Sequence, residues 1–187
     1  MTLRVLGGEL RGRSLLTPRG SRTRPTTSML RKAVFDILQN TIQGTHFLDL
    51  FAGSGAMGIE ALSRGADHAT FVETDRQALK MIHQNLSTLQ LETKSSVYSL
   101  PALEMLKKFM KEKKSFHLIY ADPPYHLTSV YTELLSFIDA STLLLPGGTL
   151  FLESLSNMKM IPPPLQHLTL TDERRFGTSL LHQYRRR

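Results

Sequence analysis

Ten consecutive residues, Asp49-Leu50-Phe51-Ala52-Gly53-Ser54-Gly55-Ala56-Met57-Gly58, carry the sharpest chemical signal in the chain. Gly53, Gly55 and Gly58 satisfy G-x-G-x-x-G between a short apolar run and a helical period, and Glu73 follows Gly53 by 20 residues. Glycines at these spacings let the backbone turn tightly and approach a ligand, and a carboxylate at that distance accepts hydrogen bonds from a ribose. The pattern therefore predicts a nucleoside-containing cofactor. Asp49 narrows the choice. A carboxylate at the loop entrance repels a pyrophosphate, which disfavours NAD, but suits a ligand with an ammonium and a sulfonium, as S-adenosylmethionine has. Ala52 stands where a hydrolase elbow needs its first glycine, so Ser54 is not read as a nucleophile.

A second signal is Asp122-Pro123-Pro124-Tyr125, directly after the apolar run 116–121. Both Asp122 and Pro123 precede a proline and are pushed to extended backbone, which makes the segment stiff. The Asp122 carboxylate and the Pro123 carbonyl can then converge as two acceptors at the carboxyl end of a strand, and two acceptors suit an NH2 group. An exocyclic amine on a nucleobase is a poor nucleophile because its lone pair is delocalised into the ring. Accepting both its hydrogens and aligning the nitrogen with a methyl sulfonium localises that pair. Tyr125 is placed to stack on a base taken out of its helix.

These residues need a scaffold. Apolar runs at 46–50, 69–73, 95–99, 116–121 and 149–153 alternate with helical stripes such as Leu79, Ile82, Leu86, Leu89 and Val130, Leu134, Phe137, Ile138. That alternation predicts an α/β fold with a mostly parallel sheet. Residues 166–170 and 179–184 read as a closing antiparallel pair separated by the charged stretch 172–175, and Pro162, Pro163 and Pro164 mark the connection leading to it. The lysine-rich stretch 107–114 reads as a solvated helix end and receives no function. At the front, 4–6 and 13–16 flank Gly7, Gly8 and Gly12 as a small hairpin. A helix then carries Leu30, Val34, Ile37 and Leu38 on one face, with Thr26 or Thr27 as its N-cap.

At 187 residues the chain is one ordinary domain with at most a small appendage, here residues 1–44 ahead of a body from 45 to 187. It has no cysteine, which excludes disulfides, thiolate metal sites and a cysteine nucleophile. Neither a signal peptide nor a membrane-spanning run is seen, so a cytoplasmic protein without a membrane partner is expected. The seven histidines lack metal-ligand spacing, so no metal is expected. The net charge is +7, and residues 1–32 account for all of it: eight basic residues against Glu9 alone. A basic arm on a neutral body points to a polyanionic partner.

With these motifs in view, the sequence resembles the class I methyltransferase superfamily, and more closely the RsmD family of ribosomal RNA guanine-N2 methyltransferases. The matching blocks are 4–8 with 11–13, Arg24-Pro25-Thr26-Thr27 with Arg31 and Phe35, 49–58 with 60–66, Glu73, 122–125 and Glu153-Ser154. The resemblance implies a Rossmann-like sheet of seven strands, one of them antiparallel, with a small basic N-terminal hairpin and helix. It implies S-adenosylmethionine held by Asp49, Phe51, Gly53, Ser54, Gly55 and Glu73. It places the target amine on Asp122, Pro123 and Tyr125, and small-subunit ribosomal RNA, in an assembled or assembling particle, against Arg11, Arg13, Arg22, Arg24 and Arg31. A monomer is expected. Two departures stand out. Lys32 replaces the family's usual glutamate, and 99–102 lacks the Asp or Asn that many relatives set against adenine, leaving backbone groups or apolar packing to hold that ring. Rival readings are adenine-N6 methylation of DNA, an NAD-linked oxidoreductase, and a non-catalytic RNA-binding assembly factor.

Overall fold

A computed structural model of the chain describes residues 3–17, 28–124, 128–158 and 162–187. Its centre is a sheet of seven strands: β3 (His46–Leu50), β4 (His68–Val72), β5 (Ser95–Tyr98), β6 (Phe116–Ala121), β7 (Leu144–Leu155), β8 (Leu168–Phe176) and β9 (Ser179–Arg186). Their order is β5-β4-β3-β6-β7-β9-β8, and of these seven β9 alone points opposite to the other six. The first two strands, β1 (Leu3–Arg4) and β2 (Ser14–Leu15), form a separate antiparallel hairpin.

Among the described residues five α-helices cover the sheet: α1 (Ser28–Ile37), α2 (Ala56–Ser63), α3 (Arg76–Thr88), α4 (Ala102–Lys111) and α5 (Thr128–Ala140). Strand alternation sends successive side chains to opposite faces. Leu48 and Leu50 therefore join the cluster built with α4 and α5 around Phe109, Leu134 and Leu135. Phe47, Tyr120 and Phe151 join α1 through Leu30, Val34, Phe35 and Leu38. A third cluster holds α3 and the hairpin, with Val5 and Leu15 packed among Ile59, Phe71, Ile82 and Leu86. The hairpin and α1 thus share apolar packing with the body.

The anticipated strands are present with ends shifted by a residue or so, apart from two larger differences. The charged stretch 172–175 does not separate the closing pair but lies inside β8, whose register with β9 runs from Leu168↔Arg186 to Phe176↔Ser179. An edge strand has one free side, so charged residues sit there at little cost. The turn comes later, at Gly177, where φ is +60°. Likewise β7 begins at Leu144, ahead of the expected 149, and the ladder to β6 shifts register between Phe116 and Leu118. Thr26 and Thr27, the expected caps of α1, lie outside the described residues.

Candidate active site

β3 and β6 are neighbours at the centre of the sheet, in register from Phe47↔Leu118 to Leu50↔Ala121. This pairing settles where the two motifs meet. The loop leaving β3 carries the glycines, and the loop leaving β6 carries Asp122 and Pro123, so both open at the same carboxyl edge. Asp122 N lies 3.5 Å from the Leu50 carbonyl.

The glycine loop is held from several directions. Gly53 and Gly55 take φ of +56° and +79°, a region that costs an L side chain about 1–2 kcal/mol. Phe51 takes φ +61° despite its side chain, so the chain tolerates strain at this corner, as functional loops do. The Gly53 amide donates to Glu73 Oε2 at 2.7 Å, while Glu73 Oε1 accepts from the Thr74 and Asp75 amides at 2.7 and 2.9 Å. Gly55 N donates to the Ala52 carbonyl at 2.8 Å. Glu73 therefore stands beside the loop, as its spacing indicated, and also clamps it.

Gly53 and Gly58 serve opposite needs. A Cβ on Gly53 meets nothing within 4 Å, which leaves open space above the loop. A Cβ on Gly58 falls 2.3 Å from Phe71 Cε1, so glycine there lets α2 pack closely on β4. Asp49 is buried at 1% exposure, with Oδ2 accepting from the Gly58 amide at 3.0 Å. Burial pushes its carboxyl well above the ordinary carboxylate range. The Gly58 hydrogen bond opposes this shift, and the negative charges of Glu73 and Asp122 add to it. Three carboxylates thus gather at one strand edge, an arrangement that favours a cationic ligand. Among the described residues no cluster of His, Asp or Glu could hold a metal ion. Open space over a positive-φ glycine, a carboxylate beside it and a buried aspartate below fit an adenosine bearing an amino-acid tail.

On the acceptor side, Pro123 is buried and Asp122 half-buried. Tyr125 lies outside the described residues, as do Arg22 and Arg24. Arg11 and Arg13 are exposed on the hairpin. Arg31, expected against RNA, is instead a buried residue at 1% exposure. Its Nη2 donates to the Arg4 carbonyl at 2.7 Å, and its Nε lies 3.9 Å from Glu60 Oε2. The reason is α1's tight seat on the sheet, which turns this arginine inward with Leu30 and Val34. Desolvation lowers its pKa, Glu60 partly offsetting the effect. Lys32, the family departure, makes an exposed pair with Asp36 at 2.6 Å.

Three features were not anticipated. Glu60, fully buried on α2, accepts from the Leu6 amide and from Arg64 Nε, both at 2.8 Å, and so ties the hairpin to the helix of the glycine loop. Asn85 on α3 bonds both Leu16 and the Ser54 carbonyl. Glu153 on β7 accepts from the Tyr120 hydroxyl, and burial pushes its carboxyl up to about 8. A polar residue on an apolar stripe is the signal that finds such groups: Asn85 falls three residues after Ile82 and one before Leu86.

A family model described as conserved hypothetical protein 95 matches residues 3–185. The Bacillus subtilis (strain 168) protein YlbH is 35% identical over 185 residues, which are 99% of this chain and 100% of that one. Ribosomal RNA small subunit methyltransferase D of Haemophilus influenzae is 30% identical over 176 residues, 94% of this chain and 89% of its own length. Among solved structures, yhhF of Escherichia coli superposes with a TM-score of 0.85 at 30% identity, over 100% of this chain and 98% of that one.

Proposed function

The chain belongs to the RsmD family, the one described as conserved hypothetical protein 95, and on that premise we propose that it methylates the exocyclic N2 amine of a guanine in small-subunit ribosomal RNA. It is an S-adenosylmethionine-dependent rRNA methyltransferase. Adenine-N6 methylation of DNA is not favoured by relatives named for ribosomal RNA. The observation that carries the reading is the pairing of β3 with β6, which sets the stiff Asp122-Pro123 corner beside the glycine loop.

S-adenosylmethionine supplies an electrophilic methyl on its sulfonium. Every other step belongs to the chain. Gly53 and Gly55 would shape the loop that accepts the cofactor, Phe51 and Ser54 would line the same turn, Glu73 would take the ribose, and the ligand's positive charge would favour the carboxylate form of Asp49 against its burial. Asp122 and the Pro123 carbonyl each accept one N–H of the amine, leaving the lone pair free to attack. With the cofactor bound, the amine nitrogen held by Asp122 and Pro123 would take the methyl as the carbon–sulfur bond breaks, and Asp122 would receive the surplus proton. Tyr125 is the stacking residue of this reading, and residues 1–44, with Arg11, Arg13, Arg22 and Arg24, supply the part that meets RNA phosphates. The buried Arg31 leaves that set and serves to seat the arm.

The substrate in this reading is an assembled or assembling small subunit, the enzyme acts as a monomer, and it works in the cytoplasm. Among the described residues no helix is long and apolar enough to cross a membrane. Asp122→Ala tests the acceptor site. Methyl transfer is expected to fall by at least about 100-fold, the scale of losing one aligned polar group, while calorimetry finds S-adenosylmethionine affinity within about threefold of the parent. An active variant would remove Asp122 from the mechanism.

A further inference from the structure

The strands do not all end at one level, and the edge strand β8 outruns β6. Ala121, the last residue of β6, shares a transverse row with Leu152, His182 and Glu173. Two residues further along lies the row of Ser154, Leu180 and Arg175. The chain leaves β6 through Asp122 and Pro123 over the same two residues, so Arg175 stands level with the acceptor corner. Three strand spacings separate them, about 14 Å. Leu152 packs in the cluster of α5, and strand alternation puts Ser154, Leu180 and Arg175 on that same face. It is the face of the helix that follows the corner.

The charges of 172–175 are not equivalent. Arg174 Nε pairs with Asp172 Oδ2 at 2.6 Å, and Glu173 Oε2 lies 2.9 Å from His182 Nδ1. Arg175 is exposed and donates its Nε to the Gly177 carbonyl at 3.0 Å, and among the described residues no carboxylate pairs with it. Its two Nη groups therefore remain for a ligand, on a fork anchored beside the turn where Gly177 takes φ +60°. An anchored planar fork loses little freedom on binding and matches the oxygens of a phosphate.

An RNA strand needs a cation on this side. Asp49, Glu73 and Asp122 gather where β3, β4 and β6 end, and their charges repel an approaching phosphate chain. The exposed Arg11 and Arg13 lie on the hairpin, which packs with Phe71 of β4 and Ile82 and Leu86 of α3. That is the cofactor's half of the sheet, whereas β8 is the far edge of the other half. We infer that Arg175 binds a backbone phosphate of the RNA strand carrying the target guanine, on the side of that guanine away from the hairpin. This rests on the proposed function. The acidic corner between the two cationic flanks then receives the neutral base, and the phosphates on either side of it meet arginine. An edge arginine also discourages pairing with a foreign strand, but Arg174 fills that role equally well, so it serves as the control.

Small ribosomal subunits purified from cells lacking this protein are the probe, and their dissociation constant is measured over a series of salt concentrations. Arg175→Gln should bind them at least about fivefold more weakly than the parent, with a log–log salt slope shallower by about one unit, the signature of one lost phosphate contact. Arg174→Gln removes the same charge from the neighbouring residue and should stay within about twofold of the parent with an unchanged slope. Arg175→Lys keeps the charge and should recover the slope. In turnover, Arg175→Gln should raise KM for subunits while kcat and S-adenosylmethionine affinity stay within about twofold of the parent. Equal losses from the two glutamine variants would reduce the effect to net charge, and an Arg175→Gln protein with parental affinity and slope would leave the phosphate without its contact; either result overturns the inference. A parent that neither binds nor methylates subunits overturns the functional reading itself, and this inference with it.

Discussion

Buried carboxyl groups do two kinds of work in this molecule. Asp49 accepts from the Gly58 amide and holds the start of α2, and Glu153 accepts from the Tyr120 hydroxyl between two strands; burial pushes both carboxyls upward. Burial raises Glu153 from 4.5 to about 8. A carboxyl whose folded pKa is raised contributes stability that is present below its unfolded pKa and lost as pH rises through the folded one. The parent should therefore lose thermal stability between pH 4.5 and about 8. Glu153→Gln keeps an acceptor for Tyr120 but cannot ionise, so its melting temperature should decline less over that interval. Parallel melting curves for the two proteins would refute the assignment.

At the scale of elements, the glycine loop runs straight into α2, and Gly53 on the loop and Gly58 on the helix meet different surroundings. Gly53→Ala adds a methyl into open space at φ +56°, and Gly58→Ala drives one into the Phe71 ring. Calorimetry and thermal melts should give opposite rankings: Gly53→Ala loses more cofactor affinity, and Gly58→Ala loses more stability, about 1–3 kcal/mol for an overpacked contact. Equal losses in both assays would contradict this division. These glycines were readable in the sequence because backbone demands are local and leave a fixed spacing, and the same holds for the central strands with their two-sided apolar runs. Arg31 was not readable. Its charge suggested RNA, but α1's seat on the sheet turns it inward, and that seat depends on Phe47, Tyr120 and Phe151, residues far away in the chain. The stretch 172–175 misled for a related reason, since an edge strand tolerates charges that a central strand cannot. Asn85 and Glu60 left only a weak trace, a polar residue within an apolar stripe, with partners that spacing alone does not name.

Across the whole molecule, the N-terminal segment is fastened to the body chiefly through α2 and α3. Glu60 is the principal anchor, with the Leu6 amide and Arg64 on its two oxygens and Arg31 nearby. Breaking a buried pair by removing one partner costs about 3–5 kcal/mol. Glu60→Ala should lower unfolding free energy by an amount on that order in urea titrations, and limited proteolysis should then cut first before residue 45. A variant as stable as the parent would show that the hairpin is held by its apolar packing and its bonds to Ser63 and Asn85, without Glu60.

The central claim is that the sulfonium methyl and the Asp122-Pro123 corner meet over a guanine amine. Labelled S-adenosylmethionine, incubated with the enzyme and small subunits from cells lacking it, tests this claim most directly when the rRNA is digested to nucleosides and resolved by mass spectrometry. The label should appear as N2-methylguanosine at a single position and vanish with Asp122→Ala. Label on adenine, or none on rRNA while the enzyme binds S-adenosylmethionine, would contradict it.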